Sequence, residues 1–227
     1  MDVRDEKLQA TGSRERIKAI VFDFDGTLVD TMQSFADTAA DVMSARHGVE
    51  LSWARQRYLE TSGIPFFQQL EVLFPGDEKN EAAAQEFEQR KLDAFFNESF
   101  EHDVVNSIQA LRAQGYSVAI SSNNFQHLID QFVQRESLTF DVVLGCRENF
   151  FKGTDHFRHL KEALHLETDD LLFVGDSLMD GVRARENGVR FVGKTGTFGA
   201  EAFEQAHPGT PTVSRLSELS ALIPTLA

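Results

Sequence analysis

Two aspartates separated by one phenylalanine, Asp23 and Asp25, stand at the end of an apolar run in IVFDFDGTLVD, residues 20–30. Residues i and i+2 of an extended chain point the same way, so both carboxylates converge where that run leaves the core. A carboxylate on a hydrophobic strand is costly unless it reaches a mouth, a cation or a partner. Together the pair can supply an oxygen nucleophile and a second carboxylate for proton transfer. Two like charges so close also call for a metal between them. Gly26, next in line, lets backbone N–H groups approach an anion. A calcium loop of the EF-hand kind is excluded by spacing, because the glycine falls fourth instead of sixth and no glutamate closes the loop. The plain alternative is a buried strand followed by an Asp-Gly turn.

Asp176 and Asp180 form a second pair, four residues apart, where an apolar run passes into a helical pattern at GDSLMD. Like charges at that spacing repel, and the helix N-terminus only softens the cost. Oxygens from Asp23 and Asp176, with a backbone carbonyl and waters, suit Mg2+, which tolerates few protein ligands. Helix capping accounts for one such aspartate but fits Asp180 poorly. Ser121 or Ser122, in the polar stop SSNN, could hydrogen-bond a phosphate oxygen or simply fill a strand-to-helix turn. Lys152, beside Gly153, is either a ligand for an anion or a solvated surface residue. Cys146, the single cysteine, can form no internal disulfide and reads as a buried inert thiol at the end of an apolar run.

The elements that carry these residues alternate. Strand-like runs at 20–24, 116–120, 140–144, 171–174, 189–192 and 212–213 are interleaved with helical patterns at 104–113, 125–135, 154–164 and 178–187. Such alternation implies a parallel sheet with helices on both faces, whose ligands sit beyond the carboxyl ends of the strands. Four strands end in polar clusters, at Asp23/Asp25, at 121–124, in the loop 145–152 and at 176–180, and all four would gather at one edge. From 31 to 102 nothing reads as a strand; 31–47, 53–60, 65–74 and 81–100 look helical, with Asp30 or Thr31 as a cap for the first. The expected fold class is α/β: a Rossmann-like three-layer core with a parallel sheet, plus an inserted all-helical cap. Residues 17–30 and 103–227 make the core, 31–102 the cap and 1–16 a polar, flexible leader.

A net charge of −14 argues against non-specific binding to nucleic acid or anionic membranes, which need clustered Lys and Arg. No apolar run approaches the ~18 residues of a membrane span, and the polar first residues lack a signal-peptide pattern. With one cysteine, a cytoplasmic location is expected.

With these four clusters in this order, the chain resembles the haloacid dehalogenase-like superfamily of phosphohydrolases. Asp23 to Thr27 match its first motif, Asp-x-Asp-Gly-Thr. Ser122-Asn123 match the second, and Lys152, 24 residues before Asp176, the basic third. Gly175-Asp176-Ser177-Leu178-Met179-Asp180 match the fourth. The helical insertion after the first motif resembles the superfamily's C1-type cap in the phosphoglycolate phosphatase-like subgroup, as do Thr61-x-Gly63-x-Pro65 and Gly188-Val189-Arg190. Gly153-Thr154-Asp155 and His102-Asp103 depart from that pattern, which bears on the substrate more than on the chemistry.

The resemblance implies a Mg2+-dependent phosphatase acting on a small phosphorylated metabolite through an aspartyl-phosphate, in a monomer or homodimer. Asp23 would be the nucleophile and Asp25 the general acid and base. Asp23, Asp176 and the Asp25 backbone carbonyl would hold the metal. Ser122, Lys152 and backbone N–H groups near Gly26 and Asn123 would hold the phosphoryl group, and Asp180 would orient the lysine or a metal-bound water. The cap would close on hinges near 30–32 and 100–103. A dehalogenase would not need Asp25. A phosphonate hydrolase needs a cap lysine for a Schiff base, and Lys79 and Lys91 both lie in polar sequence surroundings. A sugar phosphomutase shares these motifs, whereas a non-catalytic binding protein would have little need of both Asp23 and Asp25. The cap segment carries 13 acidic against 6 basic residues, which suits a substrate with few anionic groups beyond its phosphate. Phe66 and Phe67 are candidates for the lining of its pocket.

Overall fold

The computed structural model describes residues 17–226, apart from the side chains of residues 93 and 94. The leader expected at 1–16 lies outside the described residues. Six strands form one parallel sheet: β1 (Ala19–Phe22), β2 (Ser117–Phe125), β3 (Val142–Cys146), β4 (Leu171–Gly175), β5 (Arg190–Lys194) and β6 (Thr212–Val213). Their order is β3-β2-β1-β4-β5-β6. β1 occupies the middle because every side chain on it can be buried: Ile20 and Phe22 enter one apolar cluster, Ala19 and Val21 another on the opposite face. Helices α5 (His102–Ala113) and α6 (Gln126–Arg135) cover the first face through Ile108, Leu111, Ile129 and Phe132. Helices α7 (Thr154–Leu164) and α8 (Leu178–Glu186) cover the second through Phe157, Leu160 and Ala184. The strand order reverses at β1, which opens a crevice beyond its carboxyl end.

Between β1 and α5 the chain makes four helices and no strand: α1 (Met32–His47), α2 (Leu51–Glu60), α3 (Phe66–Leu73) and α4 (Asn80–Asn97). They pack on one another through rings, with Phe87 4.2 Å from Phe66 and 5.7 Å from Tyr58 between centroids. These aromatic pairs add directional attraction to ordinary burial.

Two sequence expectations change. The polar run at 121–124 does not stop β2; the strand continues through Phe125, and its register with β3 shifts between Ser121 and Phe125. The four polar residues therefore lie along a bulged strand end. Thr31 does sit at the N-cap of α1 but makes no capping bond, because its hydroxyl donates to Asp25 Oδ1 instead, at 2.7 Å.

Behind the sheet, His156 is fully buried, with Nδ1 2.8 Å from Ser121 Oγ. Burial and the nearby Lys152 charge push its pKa down to about 3. Above its ordinary 6.5 the ring is neutral in both states, but between there and about 3 only the unfolded chain takes up the proton. Stability should therefore fall as pH drops through that window, and His156→Gln should flatten this limb in urea unfolding measured at several pH values.

Candidate active site

Phe24 aims the two aspartates. Its ring is fully buried against Phe132, at 5.0 Å and 87°, and against Phe95 at 5.6 Å, so Asp23 and Asp25 on either side of it turn the other way. Both line a cavity of about 520 Å3 at the carboxyl edge of the sheet, together with Lys152 and Asp176.

Lys152 enters from the loop before α7 and places Nζ 2.6 Å from Asp23 Oδ1 and 2.6 Å from Asp180 Oδ1. Its side chain is 1% exposed. Burial alone would lower its pKa, but the Asp180 and Asp23 carboxylates overcome that and hold it above the ordinary lysine value. Burial pushes Asp23 up to about 6 against the pull of Lys152, with the Asp180 and Asp25 charges adding to the rise. Asp176 is held well above the usual carboxylate range by burial and by the Asp23 and Asp180 charges, while a hydrogen bond from Thr197 Oγ1 pulls it back.

Asp25 has different neighbours. It accepts from Thr31 Oγ1 at 2.7 Å and from Asn124 Nδ2 at 2.6 Å. Burial raises its pKa, and the Lys91 charge and these two bonds oppose the rise. The carboxylates that are two residues apart in sequence thus belong to separate electrostatic surroundings.

Asp180 does more than its spacing suggested. Ser177 Oγ accepts from Asp180 N–H at 3.1 Å and the Asp180 carboxylate accepts from Ser177 N–H, a capping box that opens α8. The capping role that fitted Asp180 poorly is therefore present, alongside the ion pair with Lys152. Ser122 reaches the same strand end but does not line the cavity; its buried hydroxyl accepts from Asn124 N–H at 3.0 Å, and Asn123 and Asn124 form the wall. Asn123 Nδ2 donates to Gly63 O at 3.0 Å, which ties the helical insertion to the core. Gly63 packs so tightly that a Cβ there would lie 2.5 Å from Ser177 Oγ. Gly26, at φ +77°, would put a Cβ 2.1 Å from Asp176 Oδ2, so only glycine fits between the two motifs.

Lys91 corrects a sequence reading. Its polar neighbours in the chain hide a residue only 7% exposed, with Nζ 5.4 Å from the Phe35 ring centroid and 5.6 Å from that of Phe87. Nζ is taken by Asn124 Oδ1 at 2.8 Å and Glu88 Oε2 at 3.0 Å. Asn124, Thr31, Thr197 and Lys91 were all missed as site residues. Asn124 lies in the polar end of β2 and Thr197 just beyond β5, and both are findable on that ground; Thr31 carries only the signature of a cap, and nothing local marks Lys91.

The donor set fits a hard divalent cation. Asp23, Asp176 and Asp180 each offer a buried carboxylate oxygen, all within 4.8 Å of one another, against the ammonium of Lys152 and the more distant Arg183, 3.5 Å from Asp180 Oδ1. Three buried carboxylates beside these two cationic side chains still leave excess negative charge that a cation would offset. Cys146 is buried, and burial raises its thiol pKa, as suits an inert residue. Among the described residues, no helix is long and apolar enough to cross a membrane.

A parallel sheet whose switch point holds a carboxylate cluster and a buried lysine defines an α/β enzyme site. The profile of the haloacid dehalogenase-like hydrolases matches residues 20–194, and the chain belongs to that family. Among its relatives, pyrophosphatase PpaX from Bacillus cereus (strain B4264) is 23% identical over 216 residues, covering 92% of this chain and 97% of its own. A haloacid dehalogenase-like hydrolase domain-containing protein from Arabidopsis thaliana is 24% identical over 198 residues, covering 85% and 78%. A solved structure from Lactobacillus delbrueckii subsp. bulgaricus, classed by inference as a phosphoglycolate phosphatase, superposes with a TM-score of 0.80 at 17% identity, covering 92% of this chain and 98% of that one. The chain is an enzyme of this hydrolase family.

Proposed function

We propose that the chain is a Mg2+-dependent phosphatase that hydrolyses a small-molecule phosphomonoester through an aspartyl-phosphate on Asp23, with residues 31–102 as its cap. One observation carries this reading: two neighbouring carboxylates are held in unlike surroundings, Asp23 on Lys152 and Asp25 on Thr31 and Asn124. Lys152, in contact with Asp23, favours its ionised form, as attack on phosphorus requires. Burial favours a protonated Asp25, as protonation of the leaving alkoxide requires. After that transfer Asp25 is the base that takes a proton from the hydrolytic water. Lys152 also draws charge from the phosphoryl oxygens, and backbone N–H groups near Gly26 and Asn123 would hold them, with Ser122 acting from behind by fixing the Asn124 backbone. Asp180 keeps Lys152 in place. Asp23, Asp176 and the Asp25 backbone carbonyl would hold Mg2+, which when bound offsets the repulsion between nucleophile and phosphate dianion.

The test is hydrolysis of a panel of small phosphomonoesters with and without a chelator. Release of phosphate from some members, lost on chelation and restored by Mg2+, is expected. Isomerised sugar phosphates with little free phosphate would favour a mutase instead, and a chain that binds without turnover would sink the enzymatic assignment.

A further inference from the structure

Resting on the phosphomonoester reading, we infer that the substrate's leaving group is a flat aromatic alcohol with no second anionic group. Five large apolar side chains among the described residues stand exposed, and three of them, Phe67, Phe125 and Phe151, at 54%, 50% and 55%, line this one cavity. They come from three places: Phe67 from α3 of the helical insertion, Phe125 from the end of β2, and Phe151 from the loop before Lys152. Exposed rings gathered from separate elements at one mouth are an arrangement that solvent alone does not favour, and they offer a ring both faces and edges to pack against. An apolar cavity of roughly 150 Å3 is enough for benzene, so the 520 Å3 here has room for a ring beyond the phosphoryl group.

Charge excludes the alternatives. The cavity is lined by the carboxylates of Asp23, Asp25, Glu88 and Asp176 and by two lysines, with no arginine among the described residues. Neither lysine is free: Lys152 is held by Asp23 and Asp180, Lys91 by Glu88 and Asn124. Beyond the groups that take the phosphoryl unit, a substrate carboxylate or second phosphate would meet Glu88, with no unpaired cation among the described lining residues to receive it. The polar capacity left over is neutral. Ser62, 8% exposed, lines the cavity with a buried hydroxyl that has no partner, beside Gln68 and Gln85. Gln68 and Gln85 offer hydrogen bonds to a neutral polar substituent on the ring.

The experiment compares kcat/KM for benzyl, methyl and carboxymethyl phosphate, the last being 2-phosphoglycolate, whose leaving alkoxides are all poor. Benzyl phosphate should exceed 2-phosphoglycolate by about tenfold or more, the scale of one or two aromatic contacts. In Phe67→Ala/Phe151→Ala the benzyl-to-methyl ratio should fall by about the same factor. Both positions are solvent-exposed, so the variant should fold. Preference for 2-phosphoglycolate or pyrophosphate, or a ratio that the double substitution leaves unmoved, would overturn the inference. Acetyl phosphate, an activated donor, separates the two failures: no turnover even of this compound would overturn the phosphatase reading, and the inference with it.

Discussion

Asp23→Asn is expected to abolish phosphate release, by on the order of 10^4-fold or more, while leaving the fold intact. The two effects separate because the native carboxylate is a liability to the metal-free protein. Its pKa stands at about 6 in the fold against an ordinary 3.8, so the stability tied to this group is fully present below 3.8 and is lost as pH rises through 6. Near neutral pH and in chelator, the uncharged amide should therefore give an unfolding midpoint equal to or above that of the wild type. Lys152 keeps Asp180 as a partner in this variant. Wild-type turnover by Asp23→Asn would remove the nucleophile assignment, and collapse of the fold would remove the electrostatic account.

Lys152→Met is expected to lose both stability and activity. The substitution leaves Asp23 and Asp180 buried without their shared ammonium, and stripping one partner from a buried ion pair costs about 3–5 kcal/mol. Removing the second source of strain should recover much of this: Lys152→Met/Asp180→Asn is expected to regain stability in denaturant unfolding without regaining turnover. The non-additivity of the two substitutions measures how far Asp180 acts through Lys152. A double variant as unstable as Lys152→Met alone would show that the lysine's contribution lies in packing.

The strands were legible because a parallel sheet buried on both faces demands continuous apolar runs, and Ile20 to Phe22 or Leu171 to Val174 are such runs. Their polar ends were legible for the complementary reason, since a carboxylate ending such a run has to face something other than hydrocarbon. Convergence of Asp23 and Asp176 followed from topology, whereas Lys152 was separable from a solvated surface lysine only through the family resemblance. What was not legible depends on contacts across the chain. Lys91 is buried by Phe35 and Phe87, its partner Asn124 lies on a distant strand, and its own helix shows only an ordinary polar face. Thr31 carries the local signature of a cap, yet Asp25 takes its hydroxyl because a buried carboxylate without donors costs more than an uncapped helix end. β2 runs past its polar stop because the bulge against β3 absorbs the misfit in register, and no local propensity encodes that.

The most direct test is where the phosphoryl group goes. Asp25→Asn, incubated with Mg2+ and acetyl phosphate, whose leaving group needs no proton, should accumulate the covalent intermediate because the base for its hydrolysis is gone. Acid quenching and peptide mass spectrometry should then find one phosphoryl group on the peptide containing residues 19–30, at Asp23. Phosphate release with no label on Asp23, or a label on another residue, would contradict the account.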